Sequence, residues 1–316
     1  MVEKVDTAVV RLWGDEVGAV SWLEAQGYAV FEYAPAFLKK GLDLSPIHMG
    51  LTAARRGNAI FSFPGQNRDT FFGLPGMLAD ALPDKFGNRL IDAWLARNGR
   101  DTGSFSPVER LCYTGRRAMG ALEFSPAVNT RLDRAAPVEI AALVALAQAV
   151  MSQRSGLDVQ LSTDRADGEA IMDILRVGTS AGGARPKAVI AMNAEGRVVS
   201  GQAEAPPGYD YWLLKFDGVD DLELGEPKGY GRIEYAYHRM ACAAGIDMSE
   251  CRLLEEHGRA HFLTRRFDRV DGDKLHMQSL CGLAHYDFNA AGAYGYEQAF
   301  AIMRRLRLSK AEAVQQ

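Results

Sequence analysis

The chain has 316 residues, 47% apolar and 24% charged, with a formal net charge of −4. This length and apolar fraction suit two globular domains that each bury a core. The slight acidity disfavours a large nucleic-acid footprint, and no run of about 18 apolar residues is present to span a bilayer.

Residues 5 to 38 read as short strands. Apolar clusters at Ala8-Val9-Val10, Val17-Gly18-Ala19-Val20 and Tyr28-Ala29-Val30-Phe31 are separated by Gly-Asp and Gly-Tyr breaks, the pattern of an antiparallel meander. A helical stretch runs from Gly76 to Asn98, with Met77, Leu78 and Ala81 on one face. It breaks at Pro83-Asp84 and resumes with Leu90, Ala93, Trp94 and Arg97; Asn98-Gly99 is a stop. Residues 137 to 153 form an Ala-, Leu- and Val-rich helix. The polar stretch Gly156 to Gly168 reads as a linker, and the domain boundary is placed near it. The resulting division is 1–135, an N-terminal subdomain with helices; 136–168, helix and linker; and 169–316.

The third part changes character. Ile171 to Val177 leads into the loop Gly178-Thr-Ser-Ala-Gly-Gly-Ala-Arg-Pro-Lys187. Ala188 to Met192, Arg197 to Ser200, Tyr211 to Phe216 and Ala260 to Phe267 read as strands. A helix over about Ile233 to Ala244 carries Ile233, Tyr237, Met240, Ala241 and Ala244 on one face and stops at Gly245. The N-terminus Met-Val-Glu-Lys-Val-Asp has no apolar signal-peptide core. The cysteines Cys112, Cys242, Cys251 and Cys281 form no CxxC pair, which disfavours a zinc ribbon and suits reduced thiols in the cytoplasm.

The loop 178–187 can present backbone amides to phosphate oxygens through Gly178, Gly182 and Gly183. A Walker A loop requires Lys-Ser/Thr opening a helix, whereas Lys187 precedes Ala188 and a strand. A kinase-like order fits better, with a glycine-rich loop between strands, then a lysine on a later strand, then a helix glutamate. Lys215 lies inside the apolar run Trp212-Leu-Leu-Lys215-Phe216, where an unpaired ammonium is costly. Glu234, near the start of the next helix, is its candidate partner. Taken singly, each signal has a plain alternative: a surface loop, a lysine snorkelling from a strand edge, a glutamate offsetting a helix dipole. Asp84 reads as a turn-former after Pro83.

These segments resemble the HipA family of bacterial toxin–antitoxin kinases. Phe72-Gly-Leu-Pro-Gly-Met-Leu-Ala-Asp-Ala-Leu-Pro-Asp-Lys-Phe-Gly87 is similar to that family's L-L-x-D-x-L-P-D-x-x-G signature. Ser180-Ala-Gly-Gly-Ala-Arg-Pro-Lys187 resembles its glycine loop, Trp212-Leu-Leu-Lys215-Phe its lysine strand, and Thr264-Arg-Arg-Phe-Asp-Arg269 its R-F-D-R segment. Leu275-His276-Met-Gln and His285-Tyr286-Asp287 are similar to the family's stretch downstream of R-F-D-R. The resemblance implies an α+β fold: a β-rich N-terminal subdomain with helices, a kinase-like small lobe of antiparallel sheet plus helix, and the beginning of an incomplete helical large lobe. It implies ATP as cofactor, with Mg²⁺, and an ATP site built from Ser180, Ala181, Gly182, Gly183, Lys187, Lys215, Glu234 and the backbone from Arg265 to Phe267 as an adenine hinge. Ser180 would be the autophosphorylation site, where phosphate would eject the loop. The implied partner is a helix-turn-helix antitoxin, with DNA reached only indirectly through it.

Phosphoryl transfer also needs a substrate-orienting carboxylate, an Asn and an Asp that hold metal. His285-Tyr-Asp287 does not supply an H-R-D-x-x-x-x-N loop, because the Asn position falls on Gly292. No Asp follows Asp287, and the family's N-x-D-D-H-x-K-N segment is absent. No catalytic or metal-binding residue is therefore assigned. Ser309-Lys-Ala-Glu312 is a capping box that announces a helix with four residues to follow, which reads as truncation. Loss of the large lobe is expected to leave Phe300, Ile302 and Met303 poorly covered. The basic residues Arg304, Arg305, Arg307 and Lys310 read as a solvated helix face. The alternatives are an inactive N-terminal portion of a protein kinase, a non-catalytic pseudokinase-like module that binds antitoxin, and an unrelated nucleotide binder; the order of motifs argues against the last.

Overall fold

The computed structural model describes residues 4–151, 178, 185–219 and 229–308. The chain forms two compact units, and each is assembled from separated stretches of sequence. One comprises Glu3–Leu82, Phe105–Val128 and Lys274–Gln316; the other contains Pro83–Ser104 and Asn129–Asp273.

In the first unit, β1 (Thr7–Leu12), β2 (Asp15–Leu23), β3 (Tyr28–Tyr33), β4 (Ile60–Phe61) and β5 (Leu122–Ser125) form an antiparallel sheet in the order β4-β3-β2-β1-β5. Alternation fixes its buried face: Ala8, Val10 and Leu12 on β1, and Ala29, Phe31 and Tyr33 on β3, are buried. This face shares a core with Phe37, Met77, Leu78, Val108, Leu111 and Cys112 from flanking helices. Each fully buried Val, Leu or Phe there contributes roughly 1.5–3 kcal/mol of transfer free energy.

The extended reading of residues 34–38 is corrected, because Pro35 opens a helix over Pro35–Lys40. Proline suits a first helical position, where its missing N–H is not needed. The helix Pro107–Thr114 opens with a capping box between Ser106 and Glu109. Farther along, Ser279 caps the helix Leu280–Ala284, and its hydroxyl also donates to Asp80 Oδ1 at 2.6 Å. On the helix Tyr296–Arg305, Phe300 is exposed but Ile302 is buried, so the expected poor cover of Ile302 is corrected. The Ser309 to Glu312 segment lies outside the described residues.

In the second unit, β6 (Lys187–Asn193), β7 (Val198–Ser200), β8 (Tyr209–Lys215), β9 (Cys251–Glu256) and β10 (Arg259–Arg265) form an antiparallel sheet in the order β7-β6-β8-β10-β9. Lys187 through Ala191 are buried without alternation, so β6 is covered on both faces. The helix Lys85–Arg97 buries Phe86, Leu90, Ile91 and Leu95. Gly178 lies against it: a Cβ there would stand 2.5 Å from Leu90 Cδ1. The helix Ile140–Met151 falls within the predicted 137–153 segment. The linker at 156–168 and the stretch 171–177 lie outside the described residues.

The helix Tyr230–Ala243 starts three residues before the predicted Ile233, and Gly245 (φ 82°) follows its end. Its apolar face, with Ile233, Tyr237 and Met240, is exposed among the described residues. All four cysteines are free, and no described helix is long and apolar enough to cross a membrane.

Candidate functional site

Lys215 is the last residue of β8, paired in register with Phe262 on β10. Its ammonium lies 5.6 Å from the Phe262 ring centroid. The helix Tyr230–Ala243 crosses β10 at Gly231, where an added Cβ would stand only 2.0 Å from the Ala260 carbonyl oxygen. Glycine is therefore required for this approach, and the approach brings Glu234, in the second turn, down to the strand. Lys215 Nζ donates to Glu234 Oε2 at 2.5 Å, and the two side chains are 34% and 33% exposed. The cation is thus fixed by one partner while one side remains open to an anion.

Asp217, two residues beyond Lys215, holds this corner together, and sequence reasoning missed it. Its carboxylate accepts from Ala260 N–H at 2.9 Å and from Gly229 N–H at 3.3 Å, tying the start of β10 to the start of the helix. Its own N–H donates to His261 Nδ1 at 2.9 Å. Burial lowers the His261 pKa, opposed by Glu256, whose Oε1 lies 3.4 Å from Nε2.

Lys187, read as a nucleotide contact, is almost fully buried. Its Nζ donates to Asp84 Oδ2 at 2.9 Å, with side chains 4% and 3% exposed. Asp84 is also the N-cap of the helix Lys85–Arg97, accepting from Gly87 N–H at 2.7 Å through Oδ1. The turn reading of Asp84 therefore captured its cap but not its ion pair, which closes across 103 residues and leaves no local signature. Burial pushes the Asp84 carboxyl up and the Lys187 ammonium down, and each opposes the other's shift. Ser180, Ala181, Gly182 and Gly183 lie outside the described residues.

In the segment 265–269, the Arg265 N–H donates to Glu250 O at 2.8 Å and the Arg266 N–H to Tyr211 O at 2.9 Å. A hinge contact would therefore fall to the exposed Phe267 or to carbonyl groups. The charges of Arg266 and Asp268 are buried rather than exposed at the strand end. Asp268 is buried and takes two bonds from Arg266, at 2.8 and 2.7 Å, and one from Arg269 at 2.9 Å. Burial, with Arg266 nearby, pushes Arg269 down to about 10.

His285 and Asp287, in the other unit, are engaged locally. His285 stacks on His48 with centroids 3.9 Å apart, and Asp287 accepts from Thr70 and Asn67. Among the described residues no group of three or more His, Cys, Asp and Glu side chains could hold a metal ion.

The chain is thus an α+β protein with two antiparallel five-stranded sheets, one of which carries a lysine–glutamate pair between strand and helix. Two family models match it in order: the HipA N-terminal domain over residues 8–125 and the HipA-like C-terminal domain over residues 179–316. The chain belongs to the HipA family. It is similar in fold to the solved HipA of the Shewanella oneidensis MR-1 toxin–antitoxin system, determined with HipB and operator DNA, at 14% identity and a TM-score of 0.50. That likeness covers 86% of this chain and 53% of the solved one, so this chain spans about half the relative's length. No curated protein matches it.

Proposed function

We propose that this chain carries the ATP-binding part of a HipA-type serine/threonine protein kinase of a toxin–antitoxin pair. The observation that carries the reading is the Lys215–Glu234 ion pair at 2.5 Å, in the strand-then-helix order that positions a phosphate-binding lysine in kinases. Lys215 meets the nucleotide phosphates, Ser180 to Gly183 wrap them, and Arg265 to Phe267 border the adenine. Ser180 is the autophosphorylation site. Functionally the chain divides at 1–135, 136–168 and 169–316.

Transfer itself requires a metal-holding Asp and a catalytic loop, and residues 288–316 contain no Asp. This polypeptide alone therefore binds ATP without transferring phosphate. The partner is a helix-turn-helix antitoxin in the cytoplasm, with DNA contacted through it; HipB and operator DNA in the solved relative support this assignment.

Thermal unfolding with and without ATP and Mg²⁺ tests the reading. A ligand that binds only the native state raises its stability by about 2.7 kcal/mol at a hundredfold excess over Kd. A melting temperature that does not move with ATP, or transfer of labelled phosphate to any protein, contradicts it.

A further inference from the structure

The nucleotide reading gives no role to Asp84, although its ion pair ends beside the site. Lys187 and Lys215 are direct partners on β6 and β8, so their side chains leave the same face of the sheet. The Lys187 ammonium interacts electrostatically with Lys215 and Glu234 as well as with Asp84. The Asp84 carboxyl responds to Lys187 and to the cap amides of Gly87 and Phe86. The pair is therefore polarised, with its positive end toward Lys215.

We propose that Asp84 is a positioning residue for the phosphate site: it holds Lys187 in its ammonium form, and that buried charge strengthens the field of Lys215 on the phosphates of ATP. The proposal rests on the nucleotide reading of Lys215. At 4% exposure Lys187 acts through its field rather than by contact, and a field is strongest where water is excluded. Burial alone drives Lys187 toward the neutral amine, and Asp84 opposes that drift. Among the described residues, Asp84, Lys215 and Glu234 act on it electrostatically.

The test is ATP affinity against pH for the wild type, Asp84→Asn, Lys187→Met and the double variant. Asparagine caps a helix as well as aspartate does, so the first substitution removes charge while the helix start survives. Wild-type affinity stays level between about pH 7 and 9, whereas that of Asp84→Asn falls about threefold or more as pH rises, because binding then requires protonation of Lys187. Lys187→Met, which leaves the Asp84 carboxylate unopposed, binds more weakly than wild type, and the double variant, in which neither position titrates, also binds more weakly than wild type and shows no slope. A level profile for Asp84→Asn, wild-type affinity in Lys187→Met, or a slope that persists in the double variant overturns the proposal.

Lysine side-chain NMR of the nucleotide-free protein supplies an arm independent of ATP. Lys187 titrates lower in Asp84→Asn than in the wild type by about one unit or more; equal titration overturns the proposal. A wild-type chain that binds no ATP defeats the nucleotide reading, while this titration still decides whether Asp84 keeps Lys187 charged.

Discussion

Lys187 and Lys215 stand directly opposite each other on neighbouring antiparallel strands, and each ammonium meets a different carboxylate. Like charges across a sheet repel. Here two helices relieve the repulsion, one through its N-cap Asp84 and the other through Glu234 in its second turn. The pairs differ in burial, and that difference separates the pair that holds the fold from the pair that is open to a ligand.

The buried pair is expected to dominate stability. Lys187→Met or Asp84→Leu, made singly, leaves an uncompensated buried charge and lowers the unfolding free energy by about 3–5 kcal/mol. Together they cost much less than the sum, because neither charge is then left alone. Denaturant unfolding of the four proteins measures this. Glu234→Gln, at the half-open pair, changes stability by less than about 1 kcal/mol in the same experiment.

Gly231→Ala tests the helix approach. The added methyl meets the Ala260 carbonyl, so the helix must shift away from β10, at a cost of about 1–3 kcal/mol. The shift carries Glu234 off Lys215, so ATP affinity falls along with the unfolding midpoint. A variant with wild-type stability and affinity would show that the close approach is not needed.

Much of this site was legible in the sequence because its signals are local. The apolar run around Lys215 announced a strand, and the order lysine then glutamate announced their pairing. Pro83-Asp84 was legible as a break, and the helix Lys85–Arg97 begins directly after it. What was hidden is non-local. The Lys187–Asp84 pair joins residues whose sequence neighbourhoods do not refer to each other. Arg266 and Asp268 look like surface charges, and their mutual bidentate bonding, with Arg269 also donating to Asp268, makes their burial tolerable. Ile233, Tyr237 and Met240 have the period of a core face yet are exposed, because period reports which residues share a side and not what covers it. Pro83–Ser104 joins the unit built mainly from residues beyond 128, an arrangement no local pattern encodes.

Acid should weaken the unit that contains His285. Burial, reinforced by His48, pushes its pKa down to about 4, and its Nε2 accepts from Gly76 N–H at 3.2 Å. The unfolded imidazole titrates near 6.5, so between about pH 6.5 and 4 the unfolded state binds more protons, and stability falls as pH falls. With the side chain partly exposed, the loss is about 1–2 kcal/mol after solvent screening. His285→Gln keeps an acceptor and removes the titration, so its stability falls less steeply over that window in acid denaturation.

Calorimetric titration of the wild type and Lys215→Ala with ATP, in the presence and absence of Mg²⁺, tests the central claim most directly. The wild type is expected to bind, and loss of the ammonium to weaken binding by about tenfold or more, as for a charge-assisted contact to phosphate. Equal affinity in the two proteins would contradict the assignment of Lys215 to the phosphates.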